Sequence, residues 1–68
     1  MTQAEYMRVQ DTILTLIDDE NGYCAAYVQN NPDDRRHREM IRDYIVSGLN
    51  NALSCLHEQV KRGKITVE

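Results

Sequence analysis

The chain has 68 residues, a formal charge of −3, 41% hydrophobic residues, 28% charged residues and neither Trp nor Phe. That length allows one domain, and that composition is too apolar for a disordered chain. The acidic balance argues against binding nucleic acid through bulk charge. No apolar run approaches the roughly 20 residues of a membrane span.

The first element opens with a capping box. Thr2 takes the N-cap and Glu5 stands three residues on, so each can satisfy the other's backbone N–H. Met1 and Tyr6 occupy the two staple positions. On this start signal Met1 is expected to be the native terminus, and no signal peptide is expected. Apolar residues then recur at helical spacing through Tyr6, Val9, Ile13, Leu16, Ile17, Cys24, Tyr27 and Val28. Asn21-Gly22 favours a turn. The stripe keeps its phase across it, and Gly22 falls on the polar side. One helix is therefore expected over about residues 3–29, with a break at Gly22 as the alternative.

Asn30-Asn31-Pro32-Asp33-Asp34 divides the chain. Asn31 suits an N-cap, Pro32 suits the first helical position, and the two aspartates complement the positive end of a helix dipole. Pro32 also disfavours helix at Asn31. The expectation is a turn at 30–31 and a second helix over about 32–62. Lys61 and Arg62 fit its negative end, and Gly63 supplies the left-handed residue just past it. Residues 63–68 form a short tail, with Ile65 positioned to fold back on the last turn.

These elements give an all-α antiparallel two-helix hairpin as a single domain. Each helix is apolar over an arc of roughly 200° at 100° per residue, whereas covering one neighbour requires about 100°. The second neighbour is expected to come from another chain, giving a homodimeric four-helix bundle. Burying one side alone would leave Val46, Leu49, Leu53, Leu56 and Val60 uncovered. The core and dimer contacts are assigned to Ile13, Ile17, Tyr27, Ile45, Gly48, Leu49, Ala52, Leu53, Leu56 and Val60. Gly48 and Ala52, one turn apart at the middle of that face, suggest a close helix approach.

Little points to chemistry. Asp18, Asp19 and Glu20 fan out at 100° steps and do not converge on one ion. Glu20 alone falls on the apolar face, and Arg38 and Arg42 are its natural partners across the hairpin. His37 and His57 lie far apart and read as solvated. Cys24 and Cys55 have no zinc spacing and sit too far apart in a hairpin for a disulfide, so both read as reduced packing residues. Neither a catalytic group, a metal nor a cofactor is expected, and the expected location is cytoplasmic.

Arg35, Arg36, Arg38 and Arg42 form the one cluster suited to a ligand, although Asp33, Asp34, Glu39 and Asp43 nearly neutralise it. In overall plan the chain resembles the plasmid-encoded RNA-binding helical hairpins that dimerise into four-helix bundles. The likeness covers both helices, rests on no shared motif and carries over no residue roles. The leading functional expectation is a small non-enzymatic regulator or adaptor that binds another protein as a homodimer, of the kind phages and plasmids carry. The alternatives are an RNA- or DNA-binding dimer using the arginine cluster, and a subunit of a larger helical assembly.

Overall fold

A computed structural model describes residues 1–68. Helix α1 spans Gln3–Asn30, a single 3-10 turn spans Pro32–Asp34, and helix α2 spans Arg35–Lys61. The two helices pack antiparallel as a hairpin. Its Cα extents are 49 × 19 × 8 Å, so the molecule is a slab one helix thick.

Helix α1 begins where its capping box places it. Glu5 N–H donates to Thr2 Oγ1 at 3.1 Å, and Thr2 N–H donates to Glu5 Oε1 at 2.8 Å. The helix runs through Asn21-Gly22 without a break. A Cβ at Gly22 would meet nothing within 4 Å, so an alanine would fit there and the glycine costs helix propensity.

The turn departs from its expected chemistry. Pro32 opens the 3-10 turn, and α2 starts three residues later, at Arg35. Asn31 makes no side-chain cap to the following helix. Its amide Nδ2 donates backwards, to the carbonyl of Tyr27 at 2.9 Å, and Asn30 Nδ2 donates to the carbonyl of Ala26 at 3.1 Å. The physical reason is that the last carbonyls of α1, Tyr27 among them, lack helical donors, and the Asn31 amide supplies one there. Asp34 stands at the N-cap of α2 without capping it. Its carboxylate accepts from Tyr27 Oη at 2.7 Å and lies 3.3 Å from His37 Nδ1.

The far end closes as the residues imply. Gly63 has φ +75°, and the backbone N–H groups of Gly63 and Lys64 donate to the carbonyls of Val60 and Gln59. This pair of bonds is a Schellman motif. Ile65 is half-buried beyond it. The tail then returns to the start of the chain: the Met1 ammonium donates to the Thr66 carbonyl at 2.7 Å, and Glu68 N–H donates to the Met1 carbonyl at 3.0 Å.

Along the seam, α1 contributes Tyr6, Gln10, Ile13, Ile17, Glu20, Cys24 and Val28, the residues of its inner row that are buried or half-buried. Across from them, α2 contributes Arg38, Arg42, Val46, Leu49, Leu53, Leu56 and Val60, all half-buried. Both rows advance in steps of three and four, the spacing that keeps one side of a helix against its neighbour. The expectation that Val46, Leu49, Leu53, Leu56 and Val60 would be left outside a lone hairpin is therefore corrected: they are its seam. The uncovered row on α2 is Ile41, Ile45, Gly48, Ala52 and Cys55. The two rows lie about 100° apart on the wheel and both are apolar. Arc width alone did not say which row the sister helix takes.

Candidate interaction face

The α2 row Ile41, Ile45, Gly48, Ala52, Cys55 also steps by four, three, four and three. On α1, Val9, Leu16, Tyr23 and Tyr27 share one side of the helix at 100° per residue. The two rows lie on the same broad side of the slab. Leu16, Tyr23 and Ile45 jointly line an open groove of about 330 Å³, floored by Leu49 and bordered by Asp19 and Glu20. Exposure along this face is high for such residues: Tyr23 66%, Leu16 46%, Ile45 42% and Ile41 39%. Tyr44, 78% exposed, extends it onto the outer edge of α2.

The other broad side is different. Asp11, Asp18 and Gln29 of α1 share it with Glu39, Asp43, Asn50 and His57 of α2. Met7 and Leu14 are the large apolar residues on that side, both exposed.

Of the assigned contact residues, the structure brings Ile13, Ile17, Leu49, Leu53, Leu56 and Val60 together in the seam, half-buried. Tyr27, Ile45, Gly48 and Ala52 are exposed on the uncovered face. No neighbouring atom lies within 4 Å of a Cβ built at Gly48, so the sister helix does not approach it. Leu16, Tyr23 and Ile41 belong to the same face and were not assigned to it. Their three- and four-residue spacing was the available signal.

At the edge of the face, Arg38 Nη1 meets Glu20 Oε1 at 2.7 Å. The side chains retain only 16% and 12% exposure, and the two atoms meet as an ion pair with neither in a well-formed hydrogen bond. Contact with the Glu20 carboxylate pushes the Arg38 pKa up against the opposing effect of desolvation. This is the cross-hairpin pair that antiparallel register implies.

The rest of the arginine cluster is also engaged. Arg42 donates to Asp43 at 2.9 Å, a contact that raises its pKa, and so does not share Glu20. Arg35 pairs with Glu39 at 3.6 Å. Arg36 is the exposed arginine that remains outside these pairs. The histidines, expected to be solvated, each make a contact. His37 sits beside Asp34. His57 Nε2–H donates to Gln10 Oε1 at 2.6 Å across the seam, with its ring tilted against Tyr6 at 6.2 Å. Both remain exposed, but His57 ties the helices together at the open end because a long Gln side chain reaches it from the inner row. Cys24 and Cys55 are free thiols, the first buried and the second exposed.

No three His, Cys, Asp or Glu side chains converge as a metal site would require, and no helix is long and apolar enough to cross a membrane. The fold is thus an all-α helical hairpin with one polar and one apolar broad side. No protein-family model, curated protein or solved structure matches the chain.

Proposed function

We propose that this chain is a small non-enzymatic regulator or adaptor that acts by binding protein surfaces and works as a homodimer, two hairpins closing into a four-helix bundle. The observation that carries this reading is the contrast between core and face. Only Cys24 and Val28 are buried among 68 residues, while the large side chains Leu16, Tyr23, Ile41 and Ile45 stand in water. Contiguous exposed apolar surface of this kind marks protein interaction sites, and tyrosine is enriched at them. The pairing of Arg35, Arg38 and Arg42 with carboxylates supports protein over nucleic acid as the partner class. The plan suits the accessory regulators that phages and plasmids carry.

The test has two arms on the purified full chain. Sedimentation equilibrium should report a mass twice that of the chain. Affinity capture from the producing cells should recover a protein in fixed proportion, with no nucleic acid in the eluate. Nucleic acid that co-purifies and is released at high salt would reverse the reading.

A further inference from the structure

We infer that a second copy of this chain covers the face bearing Leu16, Tyr23, Ile41, Ile45, Gly48 and Ala52, leaving the opposite broad side to solvent. This rests on the homodimeric reading above and names the surface that it uses.

Area is the first argument. The hairpin exposes 5139 Å². A compact monomer of this mass exposes about 4,400 Å², so the slab shows roughly 700 Å² more than its size requires. A standard interface takes about 800 Å² from each partner. The excess is close to what one copy covers in such an interface.

Pattern is the second. The row Ile41, Ile45, Gly48, Ala52, Cys55 has the spacing that packs along the full length of a neighbouring helix. Gly48 has open space over it within the hairpin. A mid-helix glycine costs about 1 kcal/mol against alanine, and close approach of an outside helix would give it a use.

The third argument identifies the occupant. A hairpin with two buried residues needs its cover as soon as it folds. A second copy is always present in equal amount, whereas an unrelated partner is not. Of the two carboxylates that border this face, Glu20 is already held by Arg38, which leaves Asp19 as the charge a second copy has to accommodate.

Three chains should be compared at micromolar concentration by sedimentation equilibrium: wild type, Ile45→Asp and Leu14→Asp. The expected result is a dimer for wild type and for Leu14→Asp, which alters the opposite side. Ile45→Asp should dissociate at least about 100-fold more readily, the scale of a buried anchor lost from an interface. Thiol labelling needs no disruptive variant. Alkylation of the native Cys55 should slow as concentration rises through the dimerisation range, while a Leu14→Cys thiol should label at a constant rate. A folded wild-type monomer overturns both the homodimer reading and this face. A wild-type dimer that survives Ile45→Asp, is broken by Leu14→Asp and leaves Cys55 equally reactive at all concentrations overturns the face alone.

Discussion

Glu20 and Arg38 meet at 2.7 Å across the hairpin, on the stretch of seam where charged side chains, these two and Arg42, replace apolar ones. Each leaves the other uncompensated if removed, and breaking such a half-buried pair costs more than replacing it whole. Arg38→Leu alone should lower the melting temperature. Adding Glu20→Leu should recover most or all of the loss. Thermal melts of the two single variants and the double close the cycle, and a double variant worse than either single one would show that the pair is needed as a pair.

The capping box should give α1 an acid-sensitive start. The backbone N–H of Thr2 holds the Glu5 carboxyl below its ordinary value of 4.5. A carboxyl depressed in the folded state adds stability that is present above that ordinary value and is lost as pH falls through the folded one. Wild type should therefore lose helicity more steeply than Glu5→Gln as pH is taken from neutral to below 4.5. Circular dichroism at matched temperature reads the difference, and parallel curves would remove Glu5 from the account.

At the turn, Asp34→Ala should destabilise more than Asn31→Ala. The first frees both Tyr27 Oη and His37, whereas the second removes one amide bond to the Tyr27 carbonyl. The Tyr27 phenol is held protonated by that carboxylate, with its pKa raised. The contribution is present below the usual tyrosine value and is lost as pH rises through the folded one. Melts of both variants, and a phenolate absorbance titration compared with Tyr23→Phe, test the assignment.

Leu53 belongs to the seam, and truncating it should cost about 2 kcal/mol or more. Asn50→Ala, on the polar side, should stay within about 0.5 kcal/mol. Urea denaturation at one protein concentration separates them.

Arg36 is the arginine of the turn-end cluster left over once the ion pairs are drawn. Charge reversal, Arg36→Glu, should leave the fold and any captured protein unchanged. If it instead abolished a nucleic-acid mobility shift given by wild type, the partner class would be wrong.

Features governed by neighbours in sequence were readable before any coordinates. Thr2 with Glu5, and Gly63 after the last basic turn, depend on fixed offsets, and the structure has them as the offsets require. Glu20 opposite Arg38 was readable too, because an antiparallel hairpin turning near residue 31 fixes which residues face one another. Competition between partners was not readable. Asn31 and Asp34 both carry N-cap chemistry, yet the orphan carbonyl of Tyr27 takes the one and the Tyr27 hydroxyl takes the other. The choice between two apolar rows on α2 also lay beyond the periodicity, since both satisfy the same spacing. His57 is exposed on its polar flank as expected, but its bond to Gln10 was not readable, because the reach of Gln10 is a property of a long side chain and not of the wheel.

The bonds between Met1 and the tail at Thr66 and Glu68 have a use at the bench. They hold both ends of the chain at one pole, with the turn at the other. A short linker joining residue 68 to residue 1 therefore spans almost no distance, and opening the chain at Asn31 would leave both helices whole. Such a circular permutant exchanges the connected pole for the free one while keeping every seam residue. A label attached at either end of the natural order and one attached at the new ends would then report the two opposite tips of the same slab.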